Sequence, residues 1–133
     1  MSVIDEIIED AERLREAPFI LNGEQRTVYY RLMTGATHAK VLGLAKKSRT
    51  IIQPDGSKLE SEYYDDDLIR AYTIFFQMMD EDGNRVFTDM AKDPKIIQDK
   101  VPYETSSMLA ASMGLRSISD MIEELKKNSK TTA

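Results

Sequence analysis

A chain of 133 residues with 18 Lys and Arg against 23 Asp and Glu carries a net charge of −5, which argues against a polyanionic partner. It contains no cysteine, so disulfides, thiolate catalysis and zinc–thiolate sites are excluded. The length is that of one domain, 1–133, with a modest core. No window approaches the ~18 consecutive apolar residues of a membrane span, and Met1-Ser2-Val3-Ile4-Asp5-Glu6 lacks the basic and apolar regions of a signal peptide. A soluble intracellular protein without a nucleic-acid or membrane partner is the expectation.

In chain order, Ser2 and Asp5 form a weak capping box. Ile4, Ile7, Ile8, Ala11 and Leu14 then recur at helical spacing, predicting an amphipathic helix from Ser2 to Arg15 that Pro18 blocks. Phe19–Leu21 and Thr27–Met33 flank Asn22-Gly23, a strong signal for a tight turn, and predict a small hairpin. A long helix from Glu24 to Lys47 competes, but it would hold Gly35 in its interior at about 1 kcal/mol relative to Ala. Thr34 or Thr37 starts the next helix, which runs through Val41, Leu42, Leu44 and Ala45 to Lys46 and Lys47, where cations suit the dipole. Thr50–Glu62, with its Pro54-Asp55-Gly56 turn, reads as a loop or mobile ribbon.

The segment from Asp65 to Gly83 is the most informative. Asp65, Asp66 and Asp67 suit a helix N-terminus. Between Leu68 and Met79 only Arg70, Thr73 and Gln77 are polar, and at about 100° per residue they fall within about 60° of one another. This predicts a central helix over 65–80, apolar except for one thin wet stripe, ended by Gly83 or Asn84. Such a helix is either the centre of a core or partly covered by another chain. Asn84–Thr88 connects it to a helix opened by Asp93-Pro94, with Ile96, Ile97 and Val101 facing inward. Tyr103–Met113 follows with Gly114 as cap. Ile118, Met121, Ile122 and Leu125 mark a last amphipathic helix, and 126–133 is a flexible polar tail. The fold expected is mainly α: a helical domain of five to six helices with one small N-terminal β-hairpin.

Signals for chemistry are weak. His38 is the lone histidine and has no nucleophile near it in the sequence, so a surface or packing role fits it better than catalysis. The acids at 65–67 and 80–82 read as helix-terminus and solvated charge. If Gly83 is set at the sixth position of a calcium loop, Met78 falls at the first ligand and Asp89 at the twelfth. No phosphate-cradling glycine motif or Gly-x-Ser-x-Gly elbow is present. The expectation is a non-enzyme with no catalytic, cofactor-binding or metal residues and no cofactor. Leu109–Ile122 resembles a helix-turn-helix, which gives a small DNA-binding regulator (109–122) as the alternative. Its second helix, however, offers Asp120, Glu123 and Glu124 and a single Arg116. The eight methionines suit adaptable packing, either in a core or at a contact surface.

The order of hairpin, helix, polar segment and acid-started apolar helix resembles the tail assembly chaperones of long-tailed bacteriophages. Phe19–Leu44, with Asn22-Gly23 before Val28–Met33, and Asp65–Met79 carry the likeness, and Asp66–Phe76 within the second resembles the acid-started helix of lambda-type members. Asp80-Glu81-Asp82-Gly83-Asn84-Arg85-Val86-Phe87 is similar to segments of Gram-positive phage and prophage relatives. The N-terminal helix is not part of the lambda-type pattern. The resemblance implies a non-enzymatic factor of the host bacterial cytoplasm. It would bind the tape-measure protein and the major tail (tube) protein, self-associate, and leave before the virion matures. Many members are made in two lengths by a frameshift, for which Lys126-Lys127 is a natural place. Leu68, Tyr72, Phe75, Phe76 and Met79 are the interaction residues expected, packed against neighbouring helices or a second copy.

Overall fold

The computed structural model describes residues 2–114. Helix α1 (Val3–Glu12) opens on the expected capping box: the Asp5 amide donates to Ser2 Oγ at 3.3 Å, and the Ser2 amide donates to Asp5 Oδ2 at 3.4 Å. It stops at Glu12, short of Arg15. The Arg15 side chain turns back to bind the Asp10 carboxylate at 2.7 Å and the Asp10 carbonyl at 3.3 Å, satisfying an end carbonyl. Arg15 itself begins strand β1 (Arg15–Leu21), which pairs antiparallel with β2 (Glu24–Tyr30). Asn22 and Gly23 both take positive φ, 53° and 80°, so the predicted hairpin has a two-residue turn whose twist suits the strands. Pro18 is tolerated because β1 is an edge strand.

Thr34 caps α2 (Gly35–Ala45) by accepting from the Thr37 amide at 3.2 Å. This helix ends before the lysines that were expected in its last turn. Lys46 and Lys47 instead start β3 (Lys46–Ile52), which pairs along its length with β4 (Lys58–Tyr64). The stretch expected as a loop is therefore a second hairpin. Its turn is built by Gly56 at φ 84°, by the Gln53 amide donating to the Ser57 carbonyl at 2.8 Å, and by Asp55 accepting from the Ser57 amide and hydroxyl. Those bonds to Ser57 hold the Asp55 carboxyl below its ordinary pKa.

Helix α3 (Asp66–Gln77) begins where expected, with Asp65 accepting from the amides of Asp67 at 2.9 Å and Leu68 at 3.3 Å. It ends at Gln77, three residues short of 80, because Met78–Met79 peel off as β5 and pair with Tyr30 and Tyr29, giving a sheet of order β1-β2-β5. Gly83 does not end the helix. It lies in a reverse turn organised by Asp80, whose carboxylate accepts from the Asp82 and Asn84 amides, each at 2.9 Å. Helices α4 (Asp93–Lys100) and α5 (Tyr103–Ser112) follow, with Pro94 in the first turn of α4 and Gly114 beyond α5 at φ 96°. Ile97 is buried and Val101 partly so, but Ile96 faces out, 46% exposed. The predicted helix through Ile118–Leu125, the tail and most of the helix-turn-helix segment lie outside the described residues.

The described residues hold five helices and five strands in two sheets, 45% helical and 27% strand. The fold is α+β, which corrects the mainly-α expectation. The error lies in 46–64 and in the span of the first hairpin. Strands that are wet on both faces leave no apolar alternation to read.

The core forms around α3. Helices α2, α4 and α5 pack around it, and α5 also meets β1. Phe19 and Val28 from the sheet, Ala71, Ile74 and Phe75 from α3, Ile97 and Met113 make one buried cluster. The stripe expected to be wet is largely dry. Thr73 and Gln77 are buried, and the Gln77 amide nitrogen donates to the carbonyls of Arg31 at 3.0 Å and Met113 at 3.5 Å. Of the two readings of this helix, the structure makes it the centre of a core.

Asp65 joins the hairpin base to α3, with Lys47 Nζ 3.0 Å from its carboxylate. The lysine and the two amides hold the Asp65 carboxyl below its ordinary pKa. Asp65→Ala is expected to cost about 1 kcal/mol at neutral pH. A lowered folded-state pKa contributes stability above the unfolded value and loses it as pH falls through the folded value. Urea titrations should therefore show wild type and variant converging only below the usual carboxylate range.

Candidate functional site

Exposed apolar side chains occur along much of the described chain, and two parts of it stand apart because they carry such side chains and contribute no buried residue. The first is α1. Its stripe of Val3, Ile4, Ile7 and Ile8 lies between 51% and 71% exposed, and the helix contributes no buried residue. Its other positions are Asp5, Glu6, Glu9, Asp10, Ala11 and Glu12, so it is acidic with no cation. It is anchored only near its C-terminal end, where Arg31 donates from Nε to the Glu12 carbonyl at 3.1 Å and from Nη1 to the Gly83 carbonyl at 2.8 Å. That guanidinium sits where a Cβ on Gly83 would be, 2.8 Å away, and Gly83 has φ 84°. The residue there is glycine for two reasons: the left-handed backbone and the close approach of Arg31.

The second is the β3–β4 hairpin. Every residue of β3 and all but Ser61 of β4 are exposed, and it packs against no helix as a layer. An isolated two-stranded hairpin is marginally stable in water, so this one depends on its turn, its base and its cross-strand pairs. The base is closed by the Asp65 amide donating to the Ala45 carbonyl at 2.9 Å and by the Lys47–Asp65 pair. Register places Lys47, Arg49 and Ile51 opposite Tyr63, Ser61 and Leu59 on one face. The other face sets Lys46, Ser48, Thr50 and Ile52 opposite Tyr64, Glu62, Glu60 and Lys58. The first face is apolar with two cations, of which Lys47 is paired to Asp65 at the hairpin base and Arg49 has no carboxylate partner among the described residues. The second carries two glutamates, and Lys46 is paired to Glu62 at 2.7 Å, which holds the lysine's pKa above its ordinary value.

The residues expected to make contacts lie elsewhere. Phe75 and Met79 are buried within the chain, while Leu68, Tyr72 and Phe76 are half-buried. Phe75 and Phe76 meet edge to face at 5.0 Å, and the Arg85 guanidinium stacks 4.5 Å from Phe75 and 5.3 Å from Phe76. Arg85 also donates to the Phe75 carbonyl at 2.9 Å. These aromatics are thus largely engaged inside one copy. The apolar stripe of α1 was legible in the sequence, but its lack of cover was not. The two-faced hairpin is not legible in the sequence, since only its register keeps Glu60 and Glu62 off the face that carries Arg49.

A hollow of about 200 Å3 between α3 and the α4–α5 corner is walled by Arg70, Ile97, Val101 and Tyr103. Arg70 pairs with Asp67 and stacks 4.6 Å from the Tyr103 ring. His38 is exposed on α2. Among the described residues, no group of three or more His, Asp or Glu is placed to hold a metal ion, and no helix is long and apolar enough to cross a membrane. No family model, curated protein or solved structure matches the chain.

Proposed function

We propose that this protein is a non-enzymatic tail assembly chaperone of a long-tailed bacteriophage or prophage. It binds the tape-measure protein and tail-tube subunits in the host cytoplasm, associates with copies of itself and leaves before the virion matures. The observation that carries this reading is the amphipathic α1, which no described residue covers, on an acidic chain. Apolar stripes flanked by carboxylates can cover a client's apolar helix while the charge keeps the complex dispersed. The projecting hairpin supplies a second contact surface of the opposite sign. The sequence likeness over Phe19–Leu44, Asp65–Met79 and Asp80–Phe87 supports the same role.

Co-expression with the tape-measure protein of a long-tailed phage tests the proposal. The client is expected to move from the pellet to the soluble fraction and to co-purify with this chain. A client that stays insoluble, with no complex recovered, removes the reading. The DNA-binding alternative at 109–122 predicts a salt-sensitive gel shift, and one titration decides it.

A further inference from the structure

The two uncovered surfaces match each other. Helix α1 presents a stripe of Val3, Ile4, Ile7 and Ile8 bordered only by acids. One face of the hairpin presents Ile51, Leu59 and Tyr63 together with Arg49, and with Lys47, whose ammonium is already paired to Asp65. Arg49 stacks 5.2 Å from the Tyr63 ring and has no carboxylate partner among the described residues. A ten-residue helix is about 15 Å long, and a seven-residue strand spans about 23 Å, so the stripe fits along the hairpin. The opposite hairpin face sets Glu60 and Glu62 against Lys46 and Lys58, with Lys46 paired to Glu62, so it offers the acids of α1 no net positive charge.

The anchors of the two surfaces lie at opposite ends of α3. The hairpin springs from Ala45 and Asp65, at the N-terminal end of that helix. α1 is tied through Arg31 to Gly83, just beyond its C-terminal end, and Arg31 N donates to the Gln77 carbonyl at 3.1 Å. Twelve helical residues separate the two anchors by about 18 Å. One copy therefore presents an acidic apolar plug at one end and a basic apolar seat at the other.

We propose that α1 of one copy lies on the Lys47–Arg49–Ile51–Leu59–Tyr63 face of the next copy's hairpin, forming a head-to-tail, open-ended interface. Unlike a two-fold contact, this arrangement uses two different patches, so each added copy leaves a plug and a seat free. The proposal deepens the self-association included in the assembly-factor reading, but it stands on these two surfaces. The occupant of each surface is a second copy because the complementary charge and apolar pattern are both on this chain.

Light scattering on the purified chain, with two substitutions at exposed positions, tests it. Wild type is expected to gain mass with concentration past a dimer, and less so at high salt. Ile7→Asp destroys the plug and Leu59→Asp the seat. Each variant alone should associate at least about tenfold more weakly, since each replaces an apolar side chain of the contact with a carboxylate that must give up water to enter it. Circular dichroism should show both still folded. An equimolar mixture of the two contains one intact plug and one intact seat, and should form a 1:1 pair that grows no further. A monomeric wild type, a single variant that assembles as wild type does, or a mixture that stays monomeric overturns the interface. If the chain is monomeric yet still solubilises the client, the interface falls and the chaperone reading stands. If it assembles as described but holds no client, the interface stands and that reading falls.

Discussion

Phe75→Ala is expected to destabilise the protein by about 3–5 kcal/mol, the range for removing an aromatic from a packed core. Phe75 is 1% exposed and lies in the single cluster that joins the sheet to α3, α4 and the end of α5. Alanine would leave a void in the cluster that Phe75 shares with Phe19, Val28, Ile97 and Met113, which are held by different elements. Arg85 would lose a ring beneath its guanidinium but keep its bond to the backbone carbonyl. Domains of this size are stable by about 5–15 kcal/mol, so the loss is a large share of the total. Urea unfolding should show the midpoint falling with little change in slope, because the surface exposed on unfolding is nearly the same. A midpoint that hardly moves would mean that α3 is not the centre of the core.

Gln77→Leu should cost about 1–3 kcal/mol, although leucine has nearly the same volume and suits a buried site. The side-chain amide of Gln77 is the donor that reaches the carbonyls of Arg31 and Met113. Those carbonyls end β2 and α5, so the amide ties two elements to α3 at one point. Leucine leaves both without that donor in a site that is 6% exposed at Gln77. Gln77→Glu is expected to be worse at neutral pH, because a carboxylate there would face two carbonyl oxygens. The native state would favour the protonated acid, raising its pKa. The glutamate variant should therefore regain stability relative to wild type as pH is lowered, since a raised folded-state pKa gives stability below the unfolded value and loses it above the folded one. Thermal unfolding at several pH values checks the sign.

Local signals were legible wherever one or two neighbouring residues decide the backbone. Asn22-Gly23 sets a hairpin turn because both residues accept positive φ, whatever surrounds them. Ser2, Thr34 and Asp65 start helices because their side chains reach amides within three residues. Pro94 opens α4 for an equally local reason. Ends were less legible. α1 and α2 were read too long, and α3 as well, because each stops where a strand partner takes over the backbone: β2 for Arg15, β4 for Lys46 and β2 again for Met78.

The candidate surfaces divide in the same way. The apolar stripe of α1 follows from 3.6-residue periodicity, a property of the sequence. That this stripe is uncovered depends on where the other helices pack. Thr73 and Gln77 show the reverse case. Their polarity marks a wet face by composition, yet the site's geometry buries both and uses the Gln77 amide as a tie. The hairpin's cationic face exists only once Arg49 is set opposite Ser61 and Thr50 opposite Glu60, because a shift of one residue would mix the charges.

By itself the sequence determined the acidic balance, the absence of thiol chemistry, the first hairpin's turn and the starts of the capped helices, all of which depend on composition or on contacts a few residues apart. Only the tertiary structure decided that α3 is enclosed within its own chain, that 46–64 is a paired hairpin, and that plug and seat stand at opposite ends of α3. Those outcomes depend on pairing and burial between residues far apart in the chain, and no short-range pattern encodes such energies.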